Sequence, residues 1–356
     1  QGLAPHLVVH LVSGTFFPSA RITLVMSATR VLVTGASGFI GRALTARMQA
    51  TGLPFLAQQR DDRPGADHLF RADLAELVGA TELTDAPGWQ DALGATAVCI
   101  HLAGIAHRAS TTPERDYEQL NHLASAGLAR LAGRAGHRRF VLVSSINAMG
   151  DRSGATPLTP TSVASPTDAY GRSKLAAERS VAAIAADAGM ELVVIRPPLV
   201  YGPGAKGNLL RLMQLAHSAW PVPAILPQTV PANQRSMIGL PNLVELLLRA
   251  LDHPGLAGRT VLPTDASYST ASLLRQIGAA MGRRVVLPVP VPAALLSALG
   301  NLVGRSAFTR RLTASLLIDD AWLRGQPELA MSEPSEQIIA DMVAHYLQNL
   351  SAPNSR

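Results

Sequence analysis

The sequence predicts an α/β protein: a doubly wound parallel sheet with a smaller lobe toward the C-terminus. Three observations carry this. Short β-branched runs alternate with segments of helical period. The runs are apolar at every position, as strands covered on both faces are. A glycine-rich turn follows the first run and opens the first helix.

Taken in order, "RVLVTGAS" from Arg30 is the first strand and "GFIGRALTARMQATG" a helix stopped by Gly52. "LPFLAQQR", "ATAVCIHLAG", "RRFVLVSS" and "MELVVIRPP" are four further strands. The later ones are separated by the helical stretches "YEQLNHLASAGLARLAGRAG" and "DAYGRSKLAAERSVAAIAADAG". Consecutive units of this kind form right-handed crossovers. After Pro203 the alternation breaks into Pro- and Gly-rich segments, so 26–203 reads as the dinucleotide domain and 204–345 as a substrate lobe. "VLPTDA" at 261–266 is a strand that could return to the first domain, and 346–356 reads as a frayed tail. Met26 is expected as the natural start, with 1–25 a non-native or disordered extension. The apolar zone 285–304 carries three prolines in its first half and reads as strand, turn and helix, not as a membrane span.

Composition narrows the function. The chain is 47% hydrophobic and 16% charged, a globular balance. A net charge of +6, spread over scattered arginines, suits an anionic small molecule; there is no basic stripe of the kind nucleic acid needs. The single cysteine, Cys99, sits in an apolar run, which excludes an internal disulfide or a Cys-rich metal cluster and suits the reducing cytoplasm.

Gly35, Gly38 and Gly41 in "VTGASGFIG" stand between strand and helix. The first makes the tight turn, the second lets the backbone approach a pyrophosphate, and the third lets the helix pack close. The helix N-terminus then faces the phosphates. Where an acid would read a ribose about 20 residues later, the chain has Gln58 and Gln59, followed by Arg60. Arg60 suits the 2′-phosphate of NADP, and Asp61 and Asp62 keep NAD open; the segment tilts to NADP. Asp73 is a candidate for the adenine edge and equally a helix N-cap.

Ser144 and Ser145 end a strand on the carboxyl edge, where ligands bind. Tyr170 follows Ser145 by 25 positions, and Lys174 follows Tyr170 by one helical turn. A phenol is a poor base near neutral pH. An ammonium and an oxidised nicotinamide beside it would lower its pKa, letting it take a proton from a hydroxyl as hydride leaves the carbon.

"TGASGFIG", "HLAG", "SS" with Gly150 five after Ser145, "YGRSK" and "RPPLVYGPG" together resemble the extended short-chain dehydrogenase/reductase superfamily, and within it the NAD-dependent nucleotide-sugar epimerase/dehydratase branch. The resemblance spans about 29 to 345 and implies a Rossmann-type domain, NADP or NAD as cofactor, and a homodimer. It implies Tyr170 as catalytic acid/base, Lys174 on the nicotinamide ribose and Ser145 on the reacting oxygen. Along the cofactor it places Gly35, Gly38, Phe39, Ile40 and Gly41, then Arg60, Asp73 and Leu74, Ala103 and Gly104, Asn121, Ser144, Pro197 and Val200. His101 is set aside as a strand-end residue.

"GPGAKGNLLRLM" and "ANQRSMIGLPNLVELLLRAL" resemble the uridine-diphosphate-binding segments of UDP-sugar enzymes. Asn208 and Leu209 would touch the nucleotide and Arg235 would clamp the diphosphate. Asn208 reads equally as a helix N-cap, and Arg235 as a surface ion-pair partner. Leu199 and Met149 depart from the galactose epimerases, which carry Asn and Tyr there. These departures resemble a subgroup found with bacterial surface-polysaccharide genes. Ile146, followed by Asn147, replaces the acid that dehydratases need. The expected function is a UDP-sugar 4-epimerase or 4-keto reductase. A reductase of another carbonyl and a non-catalytic cofactor sensor are the rivals.

Overall fold

The computed structural model describes residues 30–59, 68–105, 112–218, 233–283 and 315–351. Arg60, Asp61 and Asp62, the expected extension 1–25 and the zone 285–304 lie outside them. Seven parallel strands run in the order β3-β2-β1-β4-β5-β6-β9. They are β1 (Val31–Thr34), β2 (Phe55–Gln59), β3 (Leu69–Arg71), β4 (Val98–His101), β5 (Arg139–Val143), β6 (Glu191–Ile195) and, after two strands of the second sheet, β9 (Thr260–Val261). The order reverses between β1 and β4, which opens the crevice of a doubly wound sheet at their carboxyl ends.

Alternate residues of one strand feed opposite cores. Val31 and Val33 of β1 join Leu44 and Met48 of α1 (Phe39–Thr51). Leu32 joins Trp89 of α2 (Pro87–Gly94) and Leu128 of the helix at 114–134. That helix is α3 (Glu114–Tyr117), a π-helical segment Glu118–Leu123 and α4 (Ala124–Arg134). The next, α5 (Ala169–Asp187), packs on α4. This two-sided burial is why the strands read as unbroken apolar runs.

The second sheet is β10-β8-β7, from β7 (Leu199–Tyr201), β8 (Gln234–Gly239) and β10 (Ala266–Ser269). Around it lie α6 (Asn208–His217), α8 (Thr270–Ala280) and α10 (Ser335–Ser351), whose Leu209, Ile277 and Met342 share one core. Two shorter connections complete the order: α7 (Leu240–Arg249) after β8, and α9 (Ala321–Arg324) before α10.

Three expectations need correction. A cut at 203 separates α7 and β9 from the sheet they complete: α7 packs on α1, where Arg47 and Glu245 pair at 2.7 Å, and β9 lies beside β6. The strand expected to return near 261–266 does return, as β9 beside β6, but it covers only Thr260–Val261, and Ala266 already begins β10 of the second sheet. The tail expected to fray from 346 is helical to Ser351, because Tyr346 is anchored in the second core. Among the described residues no helix is long and apolar enough to cross a membrane.

Candidate active site

The crevice begins at the glycine turn. Gly35 has φ +68°, and its carbonyl accepts from Gly38 N at 3.0 Å. A methyl on Gly35 would lie 2.7 Å from the Ala103 backbone nitrogen, and one on Gly41 would lie 2.2 Å from the Gly35 carbonyl. Those contacts are closer than any real Cβ tolerates, so the turn requires glycine. The N–H groups of Phe39, Ile40 and Gly41 precede the first helical bond, from Arg42 N to Gly38 O. The helix therefore offers them no partner of its own, and the cradle fits a pyrophosphate.

Gln58 does not read a ribose. It is 4% exposed; its Oε1 accepts from Gly35 N at 3.2 Å and its Nε2 donates to Ala72 O at 2.7 Å. It ties the turn to the end of β3 and leaves Gln59, the half-buried last residue of β2, at the strand tip. Asp73 is exposed and its carboxylate accepts from Ala75 N, so the helix-cap alternative is the one its contacts realise. Leu74 is buried beneath it.

The two serines at the end of β5 have different partners. Ser144 is buried and donates to Glu178. Ser145 is half-buried and hydrogen bonded to Tyr170. Gly171 makes the second contact possible, since a methyl there would lie 2.3 Å from the Asn147 carbonyl. Asp168 caps the helix by accepting from Gly171 N at 2.7 Å. Burial pushes the Tyr170 phenol up to about 12; the Ser145 bond opposes this, while Asp168 and Tyr117 add to it. Lys174 is not among the groups that lower it, contrary to expectation. Lys174 is 6% exposed and donates to the Val143 carbonyl at 3.1 Å. Burial takes its ammonium down to about 8, against the pull of Glu178.

A buried relay, missed in the sequence, joins the cradle to this helix. The Ala103 N–H donates to Thr34 Oγ1 at 3.2 Å, and Ser125 Oγ donates to the Asn121 carbonyl at 2.7 Å. Each hydroxyl has one proton. Ser125 must therefore accept from His101 Nε2–H (2.8 Å), and Thr34 must donate to His101 Nδ1 (2.7 Å). His101 is neutral, its imidazole pushed down to about 3 by burial and, secondarily, by Lys174. Asn121, turned inward by the π-helical segment, accepts from Ile105 N and donates to Ile105 O and Ser173 Oγ. Ser173 in turn donates to the Tyr170 carbonyl. Gly104 leaves room for Asn121, whose Oδ1 would lie 2.6 Å from a methyl there.

Pro197 is buried, and its carbonyl accepts from Ile146 N; Val200 is half-buried. On the second lobe Asn208 is the exposed first residue of α6, and the cap position is Gly207. Leu209 is 1% exposed in the core, so any contact it makes with a ligand runs through its backbone. Arg235 lies on β8, with Nη2 3.4 Å from the Asp151 carbonyl just beyond Gly150.

Residues 31–261 match the NAD dependent epimerase/dehydratase family. The chain is 31% identical over 294 residues to a UDP-glucose 4-epimerase of Vibrio cholerae, with 81% of this chain and 87% of that protein covered. It is 29% identical over 325 residues to a ceramide reductase of Caulobacter vibrioides, with 88% and 92% covered. Among solved structures, MoeE5 in complex with UDP-glucose and NAD has a TM-score of 0.69 at 23% identity, covering 90% of this chain and all of that one, a likeness of fold. The chain thus belongs to the NAD dependent epimerase/dehydratase family, within the extended short-chain dehydrogenases/reductases.

Proposed function

We propose that the chain is an NAD-dependent enzyme acting at C4 of a UDP-hexose or UDP-N-acetylhexosamine, as a 4-epimerase or a 4-keto reductase. The observation that carries this is Tyr170, hydrogen bonded to Ser145 at the carboxyl edge of the sheet with Lys174 one helical turn along. NAD, when bound, supplies the hydride acceptor and a positive charge that favours the phenolate. Gly35, Gly38 and Gly41 with the start of α1 hold its pyrophosphate. Lys174 holds the nicotinamide ribose, and Asn121 and Ala103 shape the wall behind it. Tyr170 takes the C4 hydroxyl proton at Oη, and Ser145 Oγ shares the hydrogen bonds to that oxygen. Asn208, the Leu209 backbone and Arg235 hold the uridine diphosphate.

The preference for NADP rested on Arg60 and gives way to NAD, the cofactor in the family's description. The Vibrio cholerae relative supports the epimerase form. A second reading, reduction of a non-nucleotide carbonyl, is favoured by Leu199, which is 44% exposed on β7 where an Asn would bind the nucleotide of a galactose epimerase. The Caulobacter vibrioides relative points the same way. A cytoplasmic homodimer completes the proposal.

The test is Tyr170→Phe assayed on UDP-glucose and UDP-N-acetylglucosamine. Turnover should fall at least about 100-fold, with NADH binding kept. Turnover within a few-fold of the parent removes the assigned acid/base. Activity only on an apolar ketone selects the second reading.

A further inference from the structure

Tyr170 and Lys174 are followed at the same helical spacing by Glu178. It is 6% exposed and forms a two-point pair with Arg196, which is 8% exposed: Nε lies 3.0 Å from Oε1 and Nη2 lies 2.5 Å from Oε2. Glu178 Oε1 also accepts from the Ser144 hydroxyl. One carboxylate thereby joins three segments of the crevice: the end of β5 beside Ser145, the end of β6 before Pro197, and the helix that carries Tyr170 and Lys174. Two charges this deeply buried are costly unless fully paired, and here the two-point geometry and the Ser144 hydroxyl meet that need.

We propose that Glu178 is a positioning residue of the site: locked by Arg196, its carboxylate holds the strand end at Ser144 against α5 and sets a fixed negative charge one turn behind the Lys174 ammonium. The inference rests on the dinucleotide reading above. The titratable groups that act on Lys174 are Glu178 on its own helix and His101 from β4, with Arg196 from the end of β6 paired to Glu178; Tyr170 lies one turn before it on the same helix. His101 is neutral, so Glu178 is the nearby negative charge that opposes the effect of burial on Lys174. Without it, Lys174 loses its proton, and its grip on a ribose hydroxyl, at a lower pH.

NADH binding followed by nucleotide fluorescence from about pH 6.5 to about 9.5 reads this without any substrate. The parent should lose affinity as pH passes about 8. Lys174→Met should bind weakly at every pH. Glu178→Gln should lose affinity at lower pH and bind about fivefold more weakly than the parent at pH 8. Glu178→Asp, which keeps the charge, should retain the parent midpoint. Where Glu178→Gln is too unstable because Arg196 is left unpaired, the double variant Glu178→Gln/Arg196→Met removes both charges and should shift the midpoint in the same direction. A parent midpoint in the variants lacking Glu178 overturns this inference alone. A parent that binds no NADH overturns the dinucleotide reading with it.

Discussion

His101 shows how much one side chain decides here. As a strand-end imidazole it looks incidental, yet it completes a directional hydrogen-bond chain from the Ala103 amide to the Asn121 carbonyl. Both ring nitrogens are used only in the neutral form, so protonation breaks the bond from Thr34. Its folded-state pKa near 3 lies below the unfolded value near 6.5. Between those values the unfolded chain binds a proton that the folded chain refuses, so stability present above about pH 6.5 is lost as pH falls toward 3. The loss is on the order of a few kcal/mol. Urea unfolding at descending pH should show this slope in the parent. His101→Leu should lose that slope and cost about 2–4 kcal/mol at pH 7, because the buried Thr34 hydroxyl loses its acceptor and Ser125 its donor. Sequence alone did not expose the relay, because its members come from β1, β4 and the helix at 114–134, with nothing in their spacing to join them.

The glycine turn and α1 form the element on which the proposed cofactor binding rests. Gly41 packs against the Gly35 carbonyl at a distance that leaves no room for a side chain. Gly41→Ala should push the helix start away from the turn, weakening NADH binding at least about tenfold and lowering the melting temperature. An alanine variant with parent-like NADH affinity would show that the cradle does not hold the pyrophosphate. This element was legible because glycine spacing, strand and helix are all local. The second strand was legible too, but the role of Gln58 was not: its amide partners, the Gly35 N–H and the Ala72 carbonyl, meet only once β2 lies between β1 and β3.

Across the whole molecule a half-buried acid ties the second sheet to α7. Asp265 accepts from Tyr201 Oη at 3.0 Å, Gly239 N at 2.7 Å and Asn242 Nδ2 at 2.6 Å. Asn242 also pairs both ways with the Glu333 backbone ahead of α10. Burial raises the Asp265 pKa, and these three donors pull it back. Asp265→Ala leaves Tyr201 Oη and Gly239 N without this acceptor and Asn242 with only the Glu333 carbonyl, and should cost about 3–5 kcal/mol in chemical unfolding. Asp265→Asn, which can accept from the two nitrogens and donate to Tyr201, should cost much less. Equal losses would mean that the site needs charge and not hydrogen bonding.

Sequence by itself determined the doubly wound sheet, the glycine turn and the four-residue spacing of Tyr170 and Lys174, since strand periodicity, turn chemistry and the helical repeat are local properties of the chain. Tertiary structure decided which serine faces the phenol, that Asp73 caps a helix, that α7 and β9 rejoin the first sheet, and that Glu178 and Arg196 pair beneath the site. Each of these depends on burial and on partners distant in sequence. Burial also set the charge states: it raised Tyr170 and lowered Lys174 and His101, because desolvation acts only after the chain has closed around them.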